Sequence, residues 1–302
     1  MSTSPPVVGS FLASALHRFE HILGDNWDPP SETVLSTWVY GSIYALGVLY
    51  VVFVFQMPEY LRHKDRAFAR RWLRDQKRQG NADAKLEDAP SWDKREPAWV
   101  RSALFFWNLL LGVFSMFGFY FVAKATLAEV RRTSLPDDLC NSIAEYANPW
   151  TAIFCFSKIP ELLDTVFLIC RRRSPALLHW YHHITTMIFC TEAVHHRLNN
   201  GSWFAVMNLL VHSIMYTYYA FATYVRFPNW LRALITSLQI SQMFFGTFFV
   251  MYNMWFCNSH PTLNLFGLLM YISYAALFIQ LFVNYYIRAP QRRTPAQPRK
   301  AD

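Results

Sequence analysis

The sequence predicts an all-α membrane protein with seven transmembrane helices. Of its 302 residues, 53% are hydrophobic and only 16% are charged, which is too apolar and too poor in charge for an average soluble domain. The apolar residues also lie in long blocks, and a helix that crosses a bilayer needs roughly 20 such residues. Seven blocks qualify, at residues 34–56, 103–123, 150–170, 177–193, 203–225, 231–254 and 264–287.

The positive charges beside these spans are unevenly distributed, and this predicts the orientation. Lysine and arginine next to a span favour the cytoplasmic side. They follow spans 1, 3, 5 and 7, so that 22 lie on one face and 5 on the other, with Lys158 inside span 3. We therefore expect a lumenal segment at 1–33, a seven-helix domain at 34–287 with a basic cytosolic loop at 57–100, and a basic cytosolic tail at 288–302.

The formal charge of +8 is compatible with nucleic acid or a membrane surface as a partner. Because the charge is concentrated in loops beside membrane spans, we expect no nucleic acid. The twelve basic residues between spans 1 and 2 leave two interpretations open. One is a solvated face near anionic lipid, and the other is attraction of a phosphate-rich ligand such as coenzyme A.

Five cysteines are too few for a disulfide-dense scaffold. Cys140, between spans 2 and 3, and Cys257, between spans 6 and 7, both face the lumen in the predicted orientation. Since the lumen is oxidising, a bridge between them is a hypothesis that rests on the shared compartment. Asn200 begins a glycosylation sequon so close to span 5 that we expect it to remain unmodified.

Span 3 carries three ionisable residues, Lys158, Glu161 and Asp164, at spacings i, i+3 and i+6. Ionisable groups inside a membrane are costly and often functional, and this spacing brings them close to one helical face. An ion pair between Lys158 and Glu161 that holds helices together is the structural alternative, but it leaves Asp164 without a partner. Pro160 is expected to bend the helix.

The next three spans carry polar residues in stripes. Span 4 begins with three histidines within one helical turn, and spans 5 and 6 each carry a polar face. Hydrogen bonds between helices or an interfacial tyrosine belt would be structural explanations. The residues are His179, His182 and His183 in span 4, Asn208, His212, Tyr216 and Tyr219 in span 5, and Thr236, Gln239 and Gln242 in span 6.

These stripes reach a similar depth in the predicted topology, near the cytosolic ends of their spans. One pocket can therefore satisfy all of them. It would open to the cytosol and be closed by apolar side chains toward the lumen, a shape that suits a ligand with a soluble head and a long apolar tail.

Four segments carry a family resemblance. Residues 158–165 resemble the motif KxxExxDT, 179–183 resemble HxxHH, 212–219 resemble HxxMYxYY and 236–242 resemble TxxQxxQ. In this order they are similar to the very-long-chain fatty-acid elongase family (ELO family, 3-oxoacyl-CoA synthases). The resemblance covers roughly residues 100–287, so the basic loop lies outside it.

The resemblance implies spans 2–7 arranged around a substrate tunnel in the endoplasmic reticulum membrane. It implies condensation of acyl-CoA with malonyl-CoA to 3-oxoacyl-CoA, CO2 and CoA, without cofactor or metal, as the first step of the elongation cycle. Membrane lipid, a second copy of the chain, and the ketoacyl reductase, dehydratase and enoyl reductase of the cycle are the partners it suggests. The form His-Trp-Tyr-His-His, with Ser174 five residues before it, resembles elongases of saturated and monounsaturated chains.

The resemblance also suggests roles. His182 matches the histidine expected to carry the acyl group, and imidazole suits this role because much of it is neutral at pH 7. His212 is then a general base or a hydrogen-bond donor, and Asp164 orients a histidine. His179 and His183 complete the catalytic group. Candidate substrate-binding residues are Lys158, Glu161, Asn208, Tyr216, Tyr219, Gln239 and Gln242, of which Lys158 and Glu161 are expected mainly to hold span 3 in place.

Three alternatives agree less well with the sequence. Cys190 lies on the His182 face, but about 12 Å toward the lumen. A di-iron desaturase or hydroxylase also uses histidine boxes, yet too few of the ten histidines lie on one side to bind two metals. A seven-span receptor or transporter fits the topology but does not explain the clustered residue types.

Overall fold

The computed structural model describes residues 37–92, 96–140, 149–196, 198–199, 201–257 and 260–288, and its regular structure is entirely helical. Short 3-10 turns lie at Leu86–Asp88 and Pro160–Leu162, and a π-helical turn at Val283–Arg288 ends the described chain. The α-helices are α1 (Thr37–Arg78), α2 (Ala98–Arg132), α3 (Leu135–Cys140), α4 (Pro149–Ser157), α5 (Leu163–Cys170), α6 (Leu177–His195), α7 (Gly201–Ala222), α8 (Asn229–Phe256) and α9 (Pro261–Phe282).

Each predicted span coincides with helical structure, so the all-α prediction is confirmed. By length and composition, four helices of the described chain are able to cross a membrane, and they are α1, α2, α8 and α9 with its π-helical extension. The predicted count of seven spans also needs α4 with α5, α6 and α7, and it stays a prediction. The predicted lumenal segment 1–33, Asn200, and the predicted tail 288–302 apart from Arg288 lie outside the described residues.

The predicted loop 57–100 is not a loop throughout, because residues 57–78 continue α1 as helix. This part is rich in Arg, Lys, Ala and Leu, which are good helix formers. One side of the extension is half-buried, at Leu61, Phe68 and Trp72. The periodic apolar positions therefore extend the helix well beyond the apolar block that predicted it.

Span 3 is broken, as expected from Pro160. α4 ends at Ser157, the 3-10 turn Pro160–Leu162 follows, and α5 resumes the helical path. Proline lacks the N–H for the helical hydrogen bond and clashes with the preceding turn. The break places Lys158 and Glu161 on an irregular segment inside the bundle.

The helices pack as a bundle in which α2 lies along α7 and α8 lies along α9, while α6 contacts α9, α1 and α4. One end carries the Cys140–Cys257 bridge and is called the disulfide end. The other carries Arg171 and Arg172 between α5 and α6 and is called the arginine end. Between them, the largest apolar cluster includes Phe189, Phe204 and Tyr271.

The disulfide Cys140–Cys257 is present, so that hypothesis is confirmed. It joins the end of α3 to the residue after α8 across 117 residues of sequence. We expect C140S/C257S to lower the free energy of unfolding by about 2–4 kcal/mol, because the unfolded chain regains the freedom of a long loop. Thermal unfolding of the purified protein would measure this. Cys170→Ser, which removes an exposed free cysteine, is the control and should leave the transition unchanged.

Gly246 permits a close approach of α8 to α9. A methyl group at this position would overlap the ring of Tyr271, which is itself stacked on Phe204 with ring centroids 5.6 Å apart. We expect Gly246→Ala to destabilise the fold by about 1–3 kcal/mol through overpacking. Gly41→Ala is the matched control in α1, where a Cβ meets nothing within 4 Å. It should leave the unfolding temperature unchanged or raise it.

Candidate active site

Asp164, the first of the site residues, joins three helices. From α5 its carboxylate accepts a hydrogen bond from Trp107 Nε1 in α2 and another from the Tyr216 hydroxyl in α7, both at 2.6 Å. The nearest histidine nitrogen is Nε2 of His183, 3.9 Å from Oδ2. Asp164 therefore has a tryptophan and a tyrosine as hydrogen-bond partners. The histidine closest to it, of the kind it was expected to orient, lies just beyond hydrogen-bond distance.

Lys158 and Glu161 form the buried ion pair that the spacing suggested. Nζ of Lys158 lies 2.7 Å from Oε1 of Glu161, and each residue is only 3% exposed. Nζ also donates to Oδ1 of Asn208 at 3.1 Å, and it lies 4.4 Å from the centre of the Phe154 ring. The ammonium group thus connects the break in span 3 to α7.

The three histidines of α6 lie together. The rings of His179 and His183 are 4.6 Å apart, and those of His182 and His183 are 5.5 Å apart. His179 Nε2 lies 3.0 Å from the hydroxyl of Thr165, which also hydrogen-bonds to the Tyr50 hydroxyl at 2.8 Å. His179 is therefore anchored through Thr165 to α1.

The imidazole of His182 makes no hydrogen bond to any residue that the structure describes. Its ring lies 5.0 Å from that of Tyr274, whose hydroxyl donates to the backbone carbonyl of His182 at 3.3 Å. The side chain keeps some accessible surface, whereas that of the neighbouring His183 is buried. A partly accessible imidazole without a described hydrogen-bond partner is available to contact a ligand.

His212 reaches the same cluster from α7. Its Nε2 lies 3.2 Å from Nδ2 of Asn208. Its ring is 5.3 Å from that of Tyr216. Side chains from α5, α6 and α7 thus converge in one buried polar cluster.

Three other predicted residues are placed less centrally. Tyr219 is 43% exposed, and its hydroxyl has no hydrogen-bond partner in the described part of the chain. Gln239 Nε2 donates to the sulfur of Met215 at 3.1 Å. Gln242 is buried, without a hydrogen bond to any described side chain.

Cys190, the alternative nucleophile, is buried in an apolar cluster with Phe121, Trp150 and Leu209.

Three contacts of the cluster lie outside the motifs. Trp107, Tyr50 and Tyr274 each contribute one polar group to an otherwise apolar surface. Buried tryptophan and tyrosine usually have a hydrogen-bond partner, so their presence in apolar helices indicates that a polar contact exists. The spacing of these residues in the sequence does not identify the partner.

Several ion pairs lie at the arginine end. Arg171 and Arg101 contact Glu96 at 2.7 and 3.5 Å. Burial alone would raise the pKa of Glu96, but the hydrogen bond and charge of Arg171, with Arg101, outweigh it and lower the pKa. Arg172 contacts Asp65 of α1 at 2.7 Å and lies over the ring of Trp92. These contacts attach the segment between α1 and α2 to the loop that precedes the histidine helix.

A metal site is not among the arrangements found. Within the described ranges, no group of three or more His, Cys, Asp or Glu side chains is placed to hold a metal ion.

The chain was compared with known proteins. The family model described as ELO, the GNS1/SUR4 family, matches residues 34–294. "Fatty acid elongase 3" of Trypanosoma cruzi is 37% identical over 238 residues, covering 66% of this chain and 79% of that protein. "Very long chain fatty acid elongase 4" of the same organism is 38% identical over 209 residues, covering 64% and 72%.

A relative from another organism has a similar degree of identity. "Very long chain fatty acid elongase 6" of Drosophila melanogaster is 35% identical over 205 residues, covering 62% of this chain and 64% of that protein. Because the family model extends from the first predicted span to beyond the last, it includes every residue of the polar cluster. The chain therefore belongs to the ELO family, also described as the GNS1/SUR4 family.

Proposed function

We propose that this protein is a fatty-acid elongase that condenses an acyl-CoA with malonyl-CoA to give 3-oxoacyl-CoA, CO2 and CoA. Family membership and the printed names of the relatives support elongation. The single observation that carries the chemistry is the imidazole of His182. It makes no hydrogen bond to any described residue, lies 5.5 Å from the ring of the buried His183, and keeps accessible surface within a polar cluster.

The first half-reaction uses His182 as nucleophile. A neutral ring nitrogen attacks the thioester carbonyl, the carbon–sulfur bond breaks, and the CoA thiolate leaves with the proton that the acylated imidazolium loses. The product is an acyl-imidazole, which remains reactive toward a second nucleophile. Burial of the site limits hydrolysis of this intermediate.

The second half-reaction uses malonyl-CoA. Loss of CO2 leaves an electron pair on C2 as an enolate, and this carbon attacks the acyl carbonyl. The new carbon–carbon bond forms as the bond to the His182 nitrogen breaks, and a proton taken up from water restores the neutral imidazole in place of the one that left with CoA. Hydrogen-bond donors at the enolate oxygen would supply the largest stabilisation, and the reaction requires no cofactor.

The proposal includes the cellular setting. We place the enzyme in the endoplasmic reticulum membrane with seven spans, its N-terminus in the lumen and its C-terminus in the cytosol, and spans 2–7 around the substrate tunnel. Saturated or monounsaturated chains are the proposed substrates. A ketoacyl reductase, a dehydratase and an enoyl reductase would then consume the product in turn.

Release of labelled CO2 from malonyl-CoA by the purified protein in lipid nanodiscs tests the function. Release should depend on an added acyl-CoA, and a saturated series from butyryl-CoA to tetracosanoyl-CoA would define the chain length. Cys190→Ala should retain full activity. Acyl-CoA-independent release, or none with any member of the series, would refute the proposal.

A further inference from the structure

Four buried side chains form a continuous hydrogen-bonded chain from the break in span 3 to the second catalytic histidine. Glu161 accepts from Lys158 at 2.7 Å, Lys158 donates to Asn208 at 3.1 Å, and Asn208 lies 3.2 Å from Nε2 of His212. Their exposed fractions are 3%, 3%, 8% and 7%. The group is sealed from bulk water, so each contact must be satisfied within the protein.

The direction of each hydrogen bond follows from the lysine. An ammonium group only donates, so the atom of Asn208 that faces Nζ must be its carbonyl oxygen. The amide NH2 of Asn208 is then the group that faces His212, and it only donates. Nε2 of His212 must therefore accept, which assigns the orientation of the amide from the hydrogen-bond network.

A neutral imidazole carries one proton. Since Nε2 accepts from Asn208, the proton of His212 lies on Nδ1. If Nε2 were protonated as well, its N–H and the amide N–H of Asn208 would be two donors facing each other. The imidazolium would also add a second positive charge near Lys158. The chain of contacts therefore disfavours a proton on Nε2, the only ring nitrogen left to act as a base.

The remaining nitrogen, Nδ1, has no hydrogen-bond partner among the described residues. It is not one of the buried polar atoms that lack a partner, so it keeps some accessible surface. We propose that Lys158 and Asn208 are positioning residues that hold His212 in the tautomer with hydrogen on Nδ1, so that His212 donates to the substrate oxygen. This inference rests on the proposed function. It decides between the two roles open for His212 in favour of a donor to the thioester or enolate oxygen.

Asn208→Asp tests the inference with almost no change in volume. Lys158 still has an oxygen to donate to, but the second carboxylate oxygen now accepts from His212. The proton is drawn to Nε2, and Nδ1 loses its hydrogen. We expect CO2 release with acyl-CoA to fall by about 10²–10³-fold, the cost of removing one donor from an oxyanion site.

Asn108→Asp is the matched control. Asn108 is a buried asparagine of α2, 6% exposed, and its amide donates to the backbone carbonyl of Leu104. This change also buries a carboxylate in a helix of the bundle but does not touch the chain of contacts to His212. Activity per folded molecule should stay within a few-fold of wild type.

Nitrogen NMR of protein labelled in histidine reads the tautomer directly, with His212→Gln used to assign the signals. The wild type should show hydrogen on Nδ1 and Asn208→Asp hydrogen on Nε2. A wild-type His212 protonated at Nε2 would overturn the inference even if Asn208→Asp fails to fold. The inference would also be overturned if the wild type is active and Asn208→Asp is as active as Asn108→Asp. A wild type without condensation activity would instead refute the proposed function, while the NMR result would still decide the tautomer.

Discussion

We expect His182→Ala to abolish the acyl-enzyme adduct and to lower condensation by about 10⁴-fold or more, as loss of a nucleophile does in other covalent enzymes. Alanine leaves no nitrogen to attack the thioester. His182 makes no hydrogen bond through its ring to any described residue, so its removal should not break the network that holds α6. Intact-protein mass spectrometry after incubation with acyl-CoA alone would show the adduct in the wild type and none in the variant.

His195→Ala provides the control for this experiment. His195 is the last residue of the same helix, at the disulfide end, and its ring lies 4.7 Å from that of His196. This variant should form the adduct at the wild-type rate. An adduct that persists in His182→Ala would move the covalent step to another residue and contradict the mechanism.

Replacing Lys158 by methionine should have the largest effect on stability. The side chains of Lys158 and Glu161 are 3% and 4% exposed, so the single change leaves a carboxylate buried without its counter-charge. Oε2 of Glu161 already lacks a partner within the described chain. Removing one member of a buried pair costs about 3–5 kcal/mol, and we expect a loss of this size in the free energy of unfolding.

The double variant K158M/E161M separates stability from catalysis. Replacing both charges by apolar groups of similar size is often neutral, so most of the lost stability should return. Activity should not return, because Asn208 no longer has a donor that fixes its orientation toward His212. Recovery of both would show that the lysine serves only to neutralise Glu161.

Prediction from the sequence was most successful where the physical signal is local. The apolar blocks placed the helices because membrane helices are long and continuous. Span 3 is interrupted at Pro160, where a bend was expected because a proline has no N–H to complete the helical hydrogen bond, although α1 continues through Pro58. The Cys140–Cys257 bridge followed from two cysteines in the same predicted compartment.

The extent of α1 was missed for the same reason. Hydropathy identified the apolar part of this helix, but residues 57–78 continue it with mostly charged side chains and a few apolar ones on one face. Helical propensity and one half-buried face maintain the helix there. A method that looks for apolar blocks assigns such a segment to a loop.

The sequence by itself determined which residues belong to the polar cluster. Ionisable groups are costly inside apolar helices, so their presence there identifies them as candidates for a functional or pairing role. The tertiary structure alone decided their partners: Trp107 and Tyr216 for Asp164, Tyr50 through Thr165 for His179, and Asn208 between Lys158 and His212. Except for Asn208 and His212, which are four residues apart in α7, these pairs join separate segments of the bundle. A hydrogen bond depends on the distance and direction between two groups. Spacing along one helix determines which residues share a face, whereas the packing of the bundle determines which side chains contact that face.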